Sequence, residues 1–441
     1  MKPIYDNPLP VGWREKKLRD IAARHRGYSW EKGQETSVPE GGSTPVIRIP
    51  NIQDALSLTD LLYLRNVPAG ALATSGVMKD WILFVGSNGN PERIGDSVLI
   101  SEDRPMVFAS FLQGISTKDP TEILPEFLAQ WMRLHSVHQT FSKTSQQTTG
   151  LANFSWSAVK RLPLRYPAGI EEQRKIVVAL SDVQDTINAA QQQLLAAEHM
   201  KAALMQQLFT RGIPGRHNRY KPITVFRRRT DIPKIWEASH LGDNVTRVEY
   251  GTNEPSNDYR AGYPVIAIPQ VIATRLELGQ VPYTDLKEKE ANALRLVDGD
   301  VLLIRTNGNP NYMGKSTLVT KDVAAKHVVF ASYLIRIRTN QTRLLGAYLN
   351  YFLASPLGRQ QALAMANTSA GNHNLGARSL KRFWLPRPDT KEQEEIVEIL
   401  DRCEDTLDAI SKKIESLGRF RKSLLQNLLT GKVRVNTEAQ L

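Results

Sequence analysis

Residues 306–316 read TNGNPNYMGKS and residues 87–97 read SNGNPERIGDS, so one turn-rich stretch occurs twice in the chain. Each copy follows a short apolar run, which is VLLI at 301–304 and WILFV at 81–85. The two stretches are separated by about half the length of the chain. A repeat at that distance indicates a duplicated module rather than a local repeat.

Further matches keep nearly the same spacing, which drifts only by the length of a short loop. They are LPVGWREKKLRDIA (9–22) with IPKIWEASHLGDNV (232–245), TPVIRIPN (44–51) with YPVIAIPQ (263–270), VFASFL (107–112) with VFASYL (329–334), and VKRLPLRYP (159–167) with LKRFWLPRP (380–388). Each copy has short β-branched runs between Gly, Pro and Asn turns, then a segment with helical spacing. The predicted fold class is therefore α+β, with two tandem, pseudo-symmetric globules of mixed α and β structure.

A long helix is predicted after each globule, because apolar residues recur at alternating intervals of four and three over five heptads. Each position has a counterpart at one constant offset, as Ile176 has in Ile396. The main seam positions are Ile176, Leu180, Val183, Ile187, Leu194, Leu204, Leu208, Ile396, Leu400, Cys403, Leu407, Ile410, Ile414, Leu424 and Leu428. So regular a seam favours pairing of the two helices as a coiled coil. The alternative is that each helix packs on its own globule.

Lys201 and Arg421 interrupt this seam at the same repeat position. A basic residue there can fix the register, or its stem can lie along the seam while its head reaches solvent.

The repeats and the predicted helices set the domain boundaries. These are 1–168 for the first globule, 169–212 for the first long helix, 213–230 for a basic linker, 231–388 for the second globule, 389–432 for the second long helix, and 433–441 for a C-terminal tail.

The charge balance favours a polyanionic partner. The 441 residues carry a formal net charge of +12, and the sequence pI is about 9.6. Cys403 is the single cysteine, and no apolar stretch is long enough to cross a membrane. The N-terminal residues lack the apolar segment of a secretory signal. These features predict a protein of the reducing cytoplasm without an internal disulfide.

The Gly-Lys-Ser ending of the quoted stretch does not make a P-loop. That loop needs four residues between its first Gly and the Gly-Lys-Ser, whereas Gly308 and Gly314 are separated by five. The first copy also has Asp96 where the second has Lys315. The stretch is therefore interpreted as a structural turn, and no nucleotide site is predicted.

Two other catalytic motifs are also incomplete in this sequence. FVGSN (84–88) is close to the Phe-x-Gly-x-Gly loop of S-adenosylmethionine-dependent methyltransferases, and NPNY (309–312) to the Asn-Pro-Pro-Tyr loop of adenine methyltransferases. Neither is complete, and the other copy keeps neither. His135 and His138 have no further metal ligand nearby in sequence. No catalytic residue and no metal site are predicted, which suggests a recognition protein.

The loops that differ between the copies are the candidates for DNA contacts. Asn and Gln can pair bidentately with adenine and Arg with guanine, although Asn and Gly also serve turn geometry. The base-contact candidates are Asn88, Asn90, Arg93, Gln146, Gln147, Arg305, Asn307, Asn309, Lys315, Asn372 and His373. The stretch 211–229, which has seven Lys and Arg and no acid, adds the phosphate-contact candidates Arg216, Arg219, Arg227, Arg228 and Arg229.

Short motifs at the module borders carry a family resemblance. Each globule opens with Leu/Ile-Pro-x-x-Trp, the helices begin with EEQ (171–173) and KEQ (391–393), and the second ends with LLQNLLTG (424–431). From about Leu9 to Val433 the chain resembles the specificity subunits of type I restriction–modification systems. The resemblance implies two target-recognition domains, each reading half of a bipartite, asymmetric DNA site. It also implies an antiparallel helix pair that spaces them, a direction that the sequence leaves open.

Partners and cofactors follow from the same resemblance. It implies double-stranded DNA, two modification subunits that methylate adenine N6, and restriction subunits as partners, with no membrane. S-adenosylmethionine, ATP and Mg are expected in those partner subunits and no cofactor in this chain. Two alternatives remain: a DNA methyltransferase with an unrecognised active site, and a non-catalytic coiled-coil adaptor for other proteins.

Overall fold

The computed structural model describes residues 4–436 except 149, 226–227, 259, 273–275, 277, 280, 310 and 370–371. The chain divides into two compact units. The first contains Met1–Ala190 together with Lys413–Leu441, and the second contains Gln191–Lys412. Each unit therefore holds one globule and one part of each long helix.

The first globule has mainly antiparallel sheets interrupted by short helices. Its strands are β1 (Trp13–Lys17), β2 (Ala22–Arg26), β3 (Glu35–Thr36), β4 (Thr44–Ile47), β5 (Leu62–Leu64), β6 (Gly76–Val77), β7 (Ile82–Val85), β8 (Ser87–Asn88), β9 (Ser97–Leu99), β10 (Arg104–Phe108), β11 (Leu112–Thr117), β12 (Gln146–Thr148), β13 (Leu151–Asn153) and β14 (Pro163–Pro167). Its helices are α1 (Leu18–Ile21), α2 (Ala69–Ser75), α3 (Pro125–Met132), α4 (His135–Lys143) and α5 (Trp156–Val159), and α6 (Ile170–Arg211) is the first long helix.

The second globule follows the same plan. Its strands are β15 (Tyr220–Val225), β16 (Arg228–Pro233), β17 (Glu237–His240), β18 (Val245–Tyr250), β19 (Ser256–Asn257), β20 (Tyr263–Ile266), β21 (Tyr283–Thr284), β22 (Val301–Ile304), β23 (Thr306–Asn307), β24 (Ser316–Leu318), β25 (Val329–Phe330), β26 (Leu334–Thr339), β27 (Asn367–Ser369), β28 (Asn372–Asn374) and β29 (Trp384–Arg387). Its helices are α7 (Ile268–Ile272), α8 (Glu288–Leu294), α9 (Lys321–Ala324), α10 (Gly346–Ala354), α11 (Pro356–Met365) and α12 (Ala377–Lys381), and α13 (Thr390–Leu429) is the second long helix.

The strand order confirms the duplication. The four-stranded sheet β2-β11-β7-β9 of the first globule corresponds to β18-β26-β22-β24 of the second. The sheet β3-β5-β4-β10-β6 corresponds to β19-β21-β20-β25, and both contain one parallel pairing, β4 with β10 and β20 with β25. The first and last strands of each globule also pair, β1 with β14 and β17 with β29. The predicted α+β class with two related globules is thus correct.

One of the two inner strands of each four-stranded sheet is buried along its whole length. Residues Ile82–Val85 of β7 and Val301–Ile304 of β22 are all 0% exposed. Both faces of these strands are covered, which explains why the sequence shows a continuous apolar run there instead of an alternating one. The turn motif of residues 87–97 and 306–316 begins one residue after this strand in each globule.

The two long helices run antiparallel within each unit. In the first unit, Ile176 and Leu180 near the start of α6 share a core with Leu425 and Leu428 near the end of α13. In the second unit, Met205 and Leu208 near the end of α6 share a core with the start of α13, at Ile396 and Leu400. In both units the start of one long helix packs beside the end of the other, so the antiparallel direction implied by the resemblance is correct.

Neither of the two packing interpretations is sufficient by itself, because the same cores also contain globule residues. Trp131 and Tyr166 of the first globule lie in the core with Ile176, and Tyr348 of the second globule lies in the core with Ile396. The predicted seam residues are all buried or half-buried. The buried ones are Ile176, Leu180, Ile187, Leu208, Ile396, Leu400 and Leu428, and the half-buried ones are Val183, Leu194, Leu204, Cys403, Leu407, Ile410, Ile414 and Leu424.

The segment expected as a basic linker, 213–230, is partly strand. β15 and β16 pair antiparallel from Tyr220 with Pro233 to Val225 with Arg228. Burial alternates along β15, where Lys221, Ile223 and Val225 are the less exposed positions, and Val225 is buried in the core of the second unit together with Ile232. This alternation stabilises a hairpin against the globule, which the basic charge of the segment conceals in the sequence.

Candidate nucleic-acid interface

The divergent loops meet on a small three-stranded sheet in each globule. In the first, β13 pairs with β8 and β12, so that Ala152 lies opposite Asn88. In the second, β28 pairs with β23 and β27, so that His373 lies opposite Asn307. Loops that are far apart in the sequence thus form one surface in each globule.

Most base-contact candidates lie on or beside these sheets. Gln146, Gln147 and Asn372 are strand residues whose side chains lie outside the described part of the structure. His373 is half-buried on β28. The sheets therefore bring together, within each globule, candidates that the sequence placed in separate loops.

The asparagines of the turns use their side-chain oxygens to shape the backbone. The Oδ1 atom of Asn88 accepts a hydrogen bond from Asn90 N at 2.7 Å, and Oδ1 of Asn90 accepts one from Glu92 N at 3.0 Å. In the second globule Oδ1 of Asn307 accepts from Asn309 N at 2.8 Å, and Oδ1 of Asn309 from Asn311 N at 2.9 Å. The side-chain oxygen of each of these asparagines is thus used to shape its turn.

Backbone contacts explain why the stretch at 306–316 is not a phosphate-binding loop. Gly314 N donates to Ile304 O at 2.9 Å and Lys315 N to Tyr312 O at 3.1 Å, so these N–H groups are already bonded. Gly314 has φ +73°, and a Cβ there would lie 2.5 Å from Ala362 Cβ. The glycine is required by backbone conformation and close packing against α11, not by a ligand.

Arg93 is held by an ion pair in the first globule. Its Nε lies 3.1 Å from Asp96 Oδ2, while His138 Nε2 lies 3.0 Å from Asp96 Oδ1. Although burial raises the pKa of Asp96, the hydrogen bonds from His138 and Arg93 hold it below its usual value. The position in the second globule that matches Asp96 is Lys315, whose Nζ lies 5.2 Å from the centroid of the Tyr312 ring.

Arg305 has a platform that the sequence did not indicate. Its Nη1 donates to Ser332 O and its Nη2 to Asn374 Oδ1, both at 3.1 Å. Its guanidinium carbon lies 4.6 Å from the centroid of Tyr250, and the Tyr250 hydroxyl accepts from Ala377 N. Tyr250 is 44% exposed. A guanidinium fixed in this way is preorganised for a planar hydrogen-bonding partner such as a base edge.

The first globule carries a related group of residues, also missed in the sequence. Nε and Nη2 of Arg24 donate to Gln113 Oε1 at 2.9 and 2.7 Å. The Arg24 guanidinium lies 5.7 Å from the ring centroids of both Phe154 and Trp156. A sequence signal existed, because the two aromatic residues directly follow the divergent loop at 146–153.

The arginines of the basic segment have different environments. Arg216 forms an ion pair with Glu395 at the start of α13, so its charge is already matched. Arg219 is exposed, and Arg229 is also exposed, 3.9 Å from Asp231. Arg227 lies outside the described residues, as does the side chain of Arg228. Arg219 and Arg229 are the described members of this set that are available to a phosphate.

The described part of residues 4–436 contains neither a group of metal-ligating side chains nor a membrane-spanning helix. No three His, Cys, Asp or Glu side chains of these described residues are grouped so that they could hold a metal ion. None of the described helices is both long enough and apolar enough to span a membrane.

Known proteins resemble this chain over nearly its whole length. The specificity subunit of the type I restriction enzyme EcoKI from Escherichia coli (strain K12) is 23% identical over 434 residues, which cover 98% of this chain and 90% of that protein. The specificity subunit of the type I restriction enzyme StySPI from Salmonella potsdam is 21% identical, with the same coverage of 98% and 90%.

Solved structures share the fold. A chain from a study of complex assembly and conformational transition in the type I R-M system superposes with a TM-score of 0.61 at 14% identity, covering 97% of this chain and 100% of that one. The S subunit of the type I restriction-modification system from M. genitalium gives a TM-score of 0.52 at 13% identity, with 97% and 99% covered.

The family model for the type I restriction modification DNA specificity domain matches twice, at residues 10–198 and 233–419. Each match spans one globule and most of the long helix that follows it. Together the two matches cover far more than half of the chain. The chain therefore belongs to the type I restriction modification DNA specificity family.

Proposed function

We propose that this chain is the DNA sequence-specificity subunit of a type I restriction-modification complex and reads a bipartite, asymmetric site. The observation that carries the proposal is that the two globules share one framework of strands but differ in their loops. The two globules share their strand order, but their three-stranded sheets present different side chains around Arg305 and around Arg24. Two readers with one scaffold and different contact residues suit two different half-sites.

We infer that the paired helices act as a ruler between the two readers. α6 has 42 residues and α13 has 40, which at 1.5 Å per residue gives about 60 Å of helix. A continuous helix keeps a fixed length and phase, as recognition of two half-sites on a helical duplex requires. The strict heptad seam supports this role.

Catalysis then belongs to other subunits in the cytoplasm. Two modification subunits would carry S-adenosylmethionine and methylate adenine N6, and restriction subunits would use ATP and Mg. The target adenine would be flipped out of the duplex into the partner's pocket, because its N6 is otherwise held in the base pair. This chain would supply only the choice of site and the binding of DNA.

The test is a genome-wide map of N6-methyladenine in the source cell and in a strain lacking this gene. We expect methylation to disappear at one two-part motif and to return with the wild-type gene. A complementing gene that encodes Arg305→Ala is expected to weaken or relax one half of the motif and leave the other half unchanged. An identical methylation map in all strains would contradict the proposal.

Two further measurements separate the alternatives. A methyltransferase would methylate DNA as the purified chain with S-adenosylmethionine alone, which we do not expect. A protein adaptor would leave the methylation map unchanged although other proteins co-purify with the chain. The incomplete motif FVGSN (84–88) speaks against the first alternative, because Phe84 and Val85 are buried in β7.

A further inference from the structure

A half-buried guanidinium near the end of α13, that of Arg421, has no hydrogen-bond or ion-pair partner among the described residues. Arg421 donates no hydrogen bond and forms no ion pair within residues 4–436 as far as they are described, and its Nε is fully buried without an acceptor. Removing a charge from water without a compensating partner is costly. A guanidinium in this position suggests that a ligand supplies the missing negative charge.

The internal repeat shows which partner is missing. Lys201 occupies the position in α6 that matches Arg421, and it forms an ion pair with Glu404 of α13 within the second unit. The position in α6 that matches Glu404 is Gln184, which is neutral. Gln184 Nε2 donates to Asn188 Oδ1 on its own helix at 2.9 Å. The first unit thus keeps the cation of this pair but lacks the carboxylate.

Arg421 lines a cavity of about 450 Å³ in the first unit, together with Arg133. Nη2 of Arg133 donates to the carbonyl oxygens of Asp54 at 2.8 Å and Ser97 at 3.3 Å, which are uncharged acceptors. The hydroxyl of Ser97 is buried and has no hydrogen-bond partner among the described residues. The cavity wall therefore carries the guanidinium groups of Arg133 and Arg421, and it is also lined by Arg93, His138, Asp54 and Asp96.

Two acids, Asp54 and Asp96, line this cavity with three arginines, so the arginines outnumber the carboxylates by one. Asp96 is already bonded to Arg93 and His138, as described above. Asp54 is exposed and forms no ion pair with either arginine in the part of the chain that the structure describes. Burial, and then the neighbouring Arg421, lowers the pKa of Arg133, and burial lowers the pKa of Arg421. The charge of Asp54 acts in the opposite direction on both arginines without offsetting the lowering.

An adjoining cavity of about 720 Å³ extends the positive surface. It shares Arg133 and Arg421 with the first cavity and adds Lys422, and its lining contains no acidic residue. Two guanidinium groups at one place match the charge of a phosphate group better than that of a single carboxylate. Arginine also presents the fork of N–H donors that fits phosphate oxygens.

We propose that the cavity between Arg133 and Arg421 binds a phosphate group. The phosphate can belong to a free polyphosphate compound or to the backbone of a nucleic acid, and both supply the same oxygens. The cavity also contains Arg93, one of the base-contact candidates. The phosphate site does not require the proposed function, because its first test contains no DNA.

The first test measures binding of inorganic pyrophosphate to the full chain by calorimetry at constant ionic strength. We expect saturable binding that Arg421→Gln weakens about tenfold or more, since a charged pair of donors is lost. Lys413→Gln is the matched control, because it removes an exposed charge from the same helix outside both cavities. The control should bind pyrophosphate like the wild type.

Gln184→Glu provides an independent variant that does not remove the arginine. It places a carboxylate where the second unit has Glu404, so it should pair with Arg421, raise Tm and weaken pyrophosphate binding about tenfold. A rise in Tm with lost binding cannot be explained by misfolding. If Gln184→Glu and Arg421→Gln both bind pyrophosphate like the wild type, the ligand of this cavity is not a free polyphosphate compound.

The second test identifies the source of the phosphate, using a labelled duplex of mixed sequence at several salt concentrations. If the ligand is a nucleic-acid backbone, Arg421→Gln should reduce the slope of log K against log salt by about one. If it is a free compound, duplex binding stays unchanged while pyrophosphate binding is lost. Unchanged pyrophosphate binding together with an unchanged salt slope would overturn the site itself.

Discussion

Two buried glutamines attach the long helices to their globules with the same set of hydrogen bonds. Oε1 of Gln173 accepts from Leu124 N at 3.0 Å, and its Nε2 donates to Glu122 O at 2.8 Å and Pro167 O at 3.0 Å. Gln393 repeats this set with Leu345 N, Arg343 O and Pro388 O, at 2.9, 2.8 and 2.9 Å. Both glutamines are 0% exposed. The Gln of the EEQ and KEQ motifs is thus explained by structure rather than by ligand binding.

Gln173→Ala is expected to destabilise the first unit by about 2–4 kcal/mol, because it removes the partner of three backbone groups in a buried or partly buried setting. The comparison is Gln192→Ala on the exposed side of the same helix, which should change the free energy of unfolding by less than about 0.5 kcal/mol. Urea denaturation of both variants measures the difference. Equal stability of the two variants would show that the buried amide is not needed.

The adjacent glutamates add a second repeated contact at the residue scale. Trp13 Nε1 donates to Glu172 Oε1 at 3.4 Å, and Trp236 Nε1 donates to Glu392 Oε2 at 2.9 Å. Both glutamates are nearly buried, at 6% and 3% exposed. The tryptophan of the Leu/Ile-Pro-x-x-Trp opening therefore holds the start of the following helix in each globule.

At the scale of elements, the helix pair is stabilised by its ends more than by a uniform seam. The seam residues at the ends, such as Leu180 and Leu208, are 0% exposed and contact globule residues as well as the other helix. Central positions such as Cys403 and Ile410 are only half-buried. The middle of each helix is therefore the place where a change of length disturbs the least packing.

A matched insertion of one heptad in the middle of α6 and of α13 tests the ruler. One heptad preserves the register of the seam and adds about 10.5 Å at about 1.5 Å per residue. We expect the spacer of the methylated motif to grow by about three base pairs, at about 3.4 Å per base pair, with unchanged half-sites. Long-read methylation sequencing gives both quantities at once.

The control for that experiment is the same insertion in α6 alone. It shifts Lys201 relative to Glu404 and breaks the pairing of the two helices, so the chain should lose stability and methylation should decline at all sites. A matched insertion that leaves the spacer unchanged would contradict the ruler.

For the whole molecule, the two units differ in the number of chain segments that form them. The second unit is the continuous segment Gln191–Lys412, and all the described residues in its cores belong to that segment. The first unit needs the C-terminal segment, because Leu425, Leu428 and Leu429 belong to its core. Arg434 adds an ion pair with the nearly buried Glu172, and Lys432 one with Asp6.

This difference predicts unequal behaviour of fragments. Residues 191–412 expressed alone should fold and melt cooperatively, since every described core residue of the second unit lies inside this fragment. Residues 1–190 should be unstable or aggregate, because the surface that normally contacts Leu425 and Leu429 is exposed. Addition of a peptide of residues 413–441 should restore a cooperative melt, followed by circular dichroism. A cooperative melt of 1–190 without the peptide would contradict this account.

The sequence alone determined the duplication, the α+β class, the seam and the structural nature of the Gly-Lys-Ser turn. These features depend on local order and on periodic apolar residues, which a single chain displays directly. Only the tertiary structure decided that the divergent loops share one sheet in each globule, that Tyr250 and Asn374 support Arg305, and that residues 220–225 pair with residues 228–233. It also showed that Arg421 lacks the carboxylate that Lys201 has. Such contacts join residues far apart in sequence, and no local pattern encodes which distant side chain lies opposite which.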